Sequence, residues 1–194
     1  QVIWAIGLSM LALAGLRMLP RPALAALGLL IIAGHNLLDA VHFPVESLLH
    51  GPWAVLHDRG WLEPWAGLRL RTSYPVLPWI GVIALGYAAG PWFAAGYDQG
   101  GRQARLMGCG VVALALFIGL RLNNGYGEKP WQSGVDGLHS LMSFFNITKY
   151  PPSLLFICLT LGLGLLLLAA LERLQSRKWI APLVVFGAAP MFFY

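Results

Sequence analysis

Hydrophobic and polar positions along this chain fall into long alternating blocks rather than the short period of a soluble fold. Six apolar runs stand out, at about 2–18, 22–43, 74–97, 106–122, 151–171 and 179–194. A helix needs roughly 20 apolar residues to cross the hydrocarbon core of a bilayer, so these runs predict membrane helices. The last is a little short for a span and stops without a polar flank. Arg17-Met18-Leu19-Pro20-Arg21-Pro22 separates the first two runs, its prolines stopping one helix and permitting the next to begin. Pro44 closes the second run, and Pro151 and Pro152 suit the first turn of the fifth.

Two connections are too long to be turns. Val45 to Ser73 carries His50, Trp53, His57, Asp58, Arg59, Trp61, Glu63 and Trp65, and reads either as a short amphipathic helix at the headgroups or as a lid over a site. Asn123 to Tyr150 is the second. By contrast, Asp98-Gln99-Gly100-Gly101-Arg102-Gln103-Ala104-Arg105 reads as a turn, and Gly86 and Gly90 form a GxxxG pair that lets another helix come close. The expected fold is an all-α polytopic transmembrane bundle of about six membrane helices with two long extracytoplasmic loops, a single domain over 1–194.

Composition sharpens this picture. The chain is 58% hydrophobic and 11% charged, with mean hydropathy +0.68, more apolar surface than a soluble domain of 194 residues could bury. Its net charge of +5 does not point to nucleic acid, because the basic residues lie singly or in small groups between apolar runs. Cys109 and Cys158 each sit inside an apolar run without metal-ligand spacing and read as small hydrophobes. Both ends enter apolar sequence abruptly, so the chain is expected to be a segment of a longer protein with helices missing on either side.

Charge also orients the bundle. Arg17, Arg21, Arg102, Arg105, Arg173, Arg177 and Lys178 crowd three short links, which the positive-inside rule places in the cytoplasm. The long loops are then extracytoplasmic. The polar ends of runs two to five converge there, and a substrate site is expected from Tyr74, Arg121, Asn123, Asn146 and Lys149.

At that end the second run carries His35, Asp39 and His42, spaced four and then three residues apart and hence on one face of a helix. Ionisable groups at membrane depth normally point into the bundle, where they are functional candidates. A histidine oriented by a carboxylate can accept a proton near neutral pH, and His35 with Asp39 offers that pair, so the three are candidate catalytic residues. The same stripe also reads as a polar network that only holds helices together, or as a His/Asp/His metal set, although a helical stripe alone lacks convergent geometry and no metal is expected. Lys149 with the start of the fifth helix suits an anion or sugar, or simply anchors the interface.

Several strings resemble a known family: His35-Asn36-Leu37-Leu38-Asp39, Tyr74-Pro75-Val76-Leu77-Pro78-Trp79, Leu122-Asn123-Asn124-Gly125-Tyr126-Gly127 and, above all, Asn146-Ile147-Thr148-Lys149-Tyr150-Pro151-Pro152-Ser153-Leu154-Leu155-Phe156. The chain is similar along nearly its whole length to bacterial members of the heparan-alpha-glucosaminide N-acetyltransferase family. The resemblance implies a multi-helix membrane acetyltransferase that takes acetyl from cytosolic acetyl-CoA, its co-substrate, and gives it to an amino sugar or glycan acceptor across the bilayer. It also places the family's catalytic histidine upstream of Gln1, so none of the histidines here inherits that role by motif.

Arg102, Arg105 and Arg173 are candidates for the phosphates of CoA, a role that competes with their topological one. Besides the bilayer and the acceptor, the expected partners are the missing helices and, as one form such a protein could take, a second copy in a homodimer. A transporter or a structural membrane subunit without activity remains the alternative; the polar cluster's place at one end, rather than at the midplane, speaks against transport.

Overall fold

The computed structural model describes residues 2–65, 67–174 and 181–188. Among the described residues three helices are long and apolar enough to cross a membrane: Arg21–Leu38, Gln99–Asn123 and Leu154–Leu174. Val2–Leu16 and Leu77–Phe93 are shorter apolar helices. Of the sixth expected helix only Ala181–Ala188 is described, so a six-span bundle is not what the described residues show.

In chain order, α1 (Val2–Leu16) leads through the Pro20 turn into α2 (Arg21–Gly34), which carries Pro22 in its first turn, where no helical N–H is needed. The second run does not remain α-helical to Phe43. At His35 it tightens into a 3-10 turn, His35–Leu38, and then leaves helical geometry. Next come α3 (His50–Leu56) and an antiparallel hairpin, β1 (Gly60–Trp65) with β2 (Leu68–Thr72). Its register pairs Gly60 with Thr72, Trp61 with Arg71, Leu62 with Leu70 and Trp65 with Leu68, with an irregularity between Leu62 and Trp65. The expected all-α fold is therefore corrected by one hairpin, in whose second strand Leu68, Leu70 and Thr72 alternate with Arg69 and Arg71.

α4 (Leu77–Ala89) continues as a 3-10 turn, Gly90–Phe93. α5 (Gln99–Asn123) begins seven positions earlier in sequence than the apolar run does, because the Asp98 carboxylate accepts from the Gly101 N–H and caps the helix. What reads as a turn at 98–105 is thus the cap and first two turns of that helix. α6 (Gly137–Phe145) is capped in the same way by Asp136. α7 (Leu154–Leu174) starts where the Ser153 hydroxyl accepts from the Phe156 N–H, and α8 (Ala181–Ala188) follows.

The helices pack as α1, α2 and α4 on one side and α5 with α7 on the other. A core of Ile32, Phe117, Leu154, Leu155, Ile157 and Cys158 joins α2, α5 and α7. Outward positions such as Leu11, Leu30, Val111, Val112, Leu116 and Leu163 stay exposed, as a lipid-facing surface allows. Two glycine pairs set the closest crossings. A Cβ on Gly28 would meet the Gly81 carbonyl oxygen at 2.9 Å, and a Cβ on Gly110 would meet that of Gly162 at 3.0 Å. These pairs, and not Gly86 with Gly90, bring backbones together; a Cβ on either Gly86 or Gly90 would meet nothing from another element within 4 Å. Gly110→Leu is expected to lower stability by about 1–3 kcal/mol, the usual cost of overpacking. Thermal unfolding in detergent, with Gly108→Leu as control because that glycine has no neighbour within 4 Å, measures the difference.

Candidate functional site

The end of α2 and the start of α7 interlock. His35 is 1% exposed; its Nε2–H donates to the Pro152 carbonyl (2.8 Å) while Nδ1 faces the Ile32 carbonyl oxygen at 2.9 Å. Next to it the Asn36 side chain accepts from the Leu154 N–H (2.9 Å), capping α7, and its amide donates to Asp39 Oδ2 (2.9 Å). The Tyr126 hydroxyl donates to the Ala33 carbonyl, fastening the Asn124-Gly125-Tyr126-Gly127 loop to the same helix end. Burial, with the charge of Asp39 behind it, pushes the Tyr126 phenol above its ordinary range.

Above this joint lies a polar cavity of about 730 Å³. One wall is Asn36, Asp39 and His42 after α2 together with His57, Asp58 and Arg59 after α3. The facing wall is Tyr126, Glu128 and Lys129 from one loop and Thr148, Tyr150 and Ser153 from the segment before α7. Two imidazoles alternate with two carboxylates on the first wall. His42 Nδ1–H donates to Asp58 Oδ2 at 3.0 Å, with the ring 68% exposed. His57 is buried and stacked on Trp53, with ring centroids 5.2 Å apart. Its Nε2–H donates to the His35 carbonyl (2.9 Å) and lies 3.4 Å from Asp39 Oδ1.

These contacts rearrange the expected stripe. Had the helix continued, His35 and Asp39 would share a face; in the 3-10 geometry each residue turns about 120° rather than 100°, and the two part. The expected His35–Asp39 pair is not made: His35 points down into the α2–α7 joint, whereas Asp39 and His42 point into the cavity. Two histidine–carboxylate pairs line the cavity instead, His42 with Asp58 and the buried His57 beside Asp39, and of the two imidazoles His42 is the exposed one. Asp58 and His57 belong to the long loop, where three consecutive ionisable residues, His57-Asp58-Arg59, were the available signal.

The expected substrate residues divide. Arg121 is 2% exposed and bonded to four backbone carbonyls, with Nε to Phe144 (2.7 Å), Nη1 to Lys129 (2.7 Å), and Nη2 to Ser143 (2.8 Å) and Asn146 (3.0 Å). It closes the C-terminal end of α6, as a cation there should, and presents nothing to the cavity. Asn146 contributes that carbonyl, and Asn123 is exposed at the end of α5, outside the cavity lining. Tyr74 is buried against Trp79 and Tyr150, at centroid distances of 5.6 and 5.2 Å. Lys149 lies over the Tyr150 ring at 5.2 Å, beside the cavity and not in its wall.

Glu128 ties the facing wall together, accepting from the Thr148 hydroxyl (2.8 Å), the Thr148 N–H and the Lys129 N–H (2.9 Å). Burial pushes its carboxyl up, but these bonds, with help from the Ser153 hydroxyl, together hold it below the ordinary value of 4.5. A carboxyl depressed in the folded state adds stability above its unfolded pKa and loses it as pH falls through the folded one. Glu128→Gln is therefore expected to lower the melting temperature near pH 7, with the gap to wild type closing as pH falls below about 4.5. Melting curves of both proteins across that range measure it.

At the other end of the α5–α7 pair, Arg102 is bonded to Glu172 (2.8 Å) and to the Trp92 carbonyl, Arg173 to Gln103 (3.1 Å), and Arg105 stacks on Trp92 and Tyr97. Arg177 and Lys178 lie outside the described residues. The 19 positions from Arg102 to Arg121 correspond to about 28 Å of helix, close to the hydrocarbon thickness of a bilayer. Among the described residues no group of three or more His, Cys, Asp and Glu forms a metal-ligand set.

The family model described as heparan-alpha-glucosaminide N-acetyltransferase, catalytic, matches residues 1–121. No curated protein and no solved structure matches the chain.

Proposed function

We propose a function that proceeds from one premise: this chain belongs to the heparan-alpha-glucosaminide N-acetyltransferase family, a family of membrane acetyltransferases that use acetyl-CoA. Its polar cavity binds the acceptor, an amino sugar, on the extracytoplasmic side. The observation that carries this reading is the cavity wall itself, where Asp39 and Asp58 attract an ammonium group and His42, held by Asp58, offers a base. With Nδ1–H donated to a carboxylate, a neutral His42 ring keeps its lone pair on Nε2.

An ammonium cannot attack a carbonyl. His42 Nε2 takes one proton from it, and the freed amine forms the new N–C bond with the acetyl carbon. Collapse of the adduct breaks the C–S bond, and the proton still on nitrogen passes to the leaving thiolate to give CoA-SH. The Asp58 carboxylate orients the ring and stabilises the imidazolium that forms. His57, wedged between His35, Asp39 and Trp53, fixes the wall on which this pair sits.

Incubating the purified protein in bilayer nanodiscs with acetyl-CoA and a panel of amino sugars, and following thiol release together with N-acetyl product, tests the reading. Acetyl-CoA-dependent acetylation of an amino sugar supports it; thiol release without N-acetyl product, or neither, overturns it.

A further inference from the structure

The hairpin between α3 and α4 has no part in that chemistry. On its outward face Trp61 lies against two guanidinium groups, Arg69 at 5.3 Å and Arg71 at 5.7 Å from the ring centroid. Trp61, Trp65 and Leu70 are 54, 67 and 48% exposed. Glu63 is the acidic residue of the two strands, so the ribbon is basic as well as aromatic. The ribbon thus exposes aromatic and apolar side chains on both faces, Trp61 beside the arginines and Trp65 with Leu70 on the other side, which is costly in water and foreign to the hydrocarbon core, yet suits the boundary between them.

Chain connectivity fixes its depth. β2 ends at Thr72, which is buried, and the apolar helix α4 begins at Leu77; five residues reach at most about 18 Å when extended. The Val76 N–H also donates to the Val55 carbonyl (3.1 Å), binding the first turn of α4 to α3, against which the hairpin packs. The root of the ribbon is thus held at the mouth of an apolar helix, at the level where headgroups begin.

We propose that this hairpin is a docking surface for anionic phospholipid, independent of the acetyl-transfer reading and resting only on the chain's membrane character. Trp61 and Trp65 sit at the boundary of the acyl region, and Arg69 and Arg71 hold lipid phosphate. Each ring gains by placing its apolar body toward the tails and its N–H toward water, and guanidinium recognises phosphate through paired N–H donors. A lid over the cavity is the rival role for the same loop, and a lid would keep these tryptophans in water.

The test uses the whole protein in nanodiscs of phosphatidylcholine alone or mixed with phosphatidylglycerol, with brominated acyl chains as a contact quencher and iodide as an aqueous one. Subtracting the emission of Trp61→Phe/Trp65→Phe from that of wild type isolates the hairpin, and Phe keeps the rings that the arginines stack on. The hairpin emission is expected to be quenched by brominated lipid, more strongly when phosphatidylglycerol is present, and to resist iodide. In Arg69→Gln/Arg71→Gln, which leaves both tryptophans in place, the extra quenching by the anionic lipid is expected to be lost. Size-exclusion profiles matching wild type establish that the variants fold. Iodide-accessible tryptophans untouched by brominated lipid, or equal quenching with and without phosphatidylglycerol in the wild type, would overturn the proposal.

Discussion

His42→Gln is expected to slow acetyl transfer by roughly 10²–10⁴-fold, the usual contribution of a positioned general base. The ring is 68% exposed and, among the described residues, its hydrogen bond is to Asp58, so little of the fold depends on it. Asp58→Asn should produce a loss in the same range by a different route: the amide can donate to Nδ1, which moves the imidazole proton to Nε2 and turns the base away from its task. Binding of the acceptor should weaken far less for His42→Gln than turnover falls, so the effect belongs in kcat. The measurement is steady-state acetylation of the best amino sugar, with melting curves run beside it. Unchanged kcat in His42→Gln would move the base elsewhere; a fall in kcat matched by a fall in melting temperature would return the pair to a structural role.

Arg121→Met is expected to cost more in folding than any other substitution considered. Four backbone carbonyls lose their donors at once, and each buried acceptor left unpaired costs about 1–3 kcal/mol. Some of that is recovered by local relaxation, yet a total above about 3 kcal/mol is what truncating a buried charged hydrogen-bonding group usually gives. Arg121→Lys should rescue only partly, since an ammonium on a thinner stem cannot reach carbonyls that the guanidinium reaches from separate nitrogens. Expression level, monodispersity and melting temperature of the two variants measure this. A Met variant as stable as wild type would show that water replaces the guanidinium.

Much of the architecture was legible because apolar runs this long have few structural outcomes, and runs two, four and five did become the three long helices. Orientation of the stripe was not legible. His35, Asp39 and His42 obey helical spacing, but spacing cannot reveal that the turn tightens at His35 where Pro152 and Leu154, more than a hundred residues away, bind its ring and its neighbour's amide. The surroundings of Arg121 are illegible for a related reason: a charged residue at a membrane helix end suggests a ligand, and only the fold shows its donors turned onto the carbonyls at the end of α6. The hairpin is hidden in a loop where only Leu68 to Thr72 alternates uncharged with charged residues, too few positions to outweigh a helical reading. The strings that carry the family resemblance served better than any single residue, because three of them, around Asn36, Tyr126 and Thr148, became the walls of one cavity.

The joint between α2 and α7 also puts a clock on the protein. His35 and Pro152 are separated by 117 positions, so the ribosome adds the second partner about 6–23 s after the first at ordinary elongation rates of 5–20 residues per second. For that interval α2 is made but its terminal imidazole lacks its distant carbonyl, and the cavity has one wall. Completion of the site is therefore a late event in biogenesis, set by arrival of α7, and a nascent chain stalled after α5 would carry His42 and Asp58 with nothing opposite them.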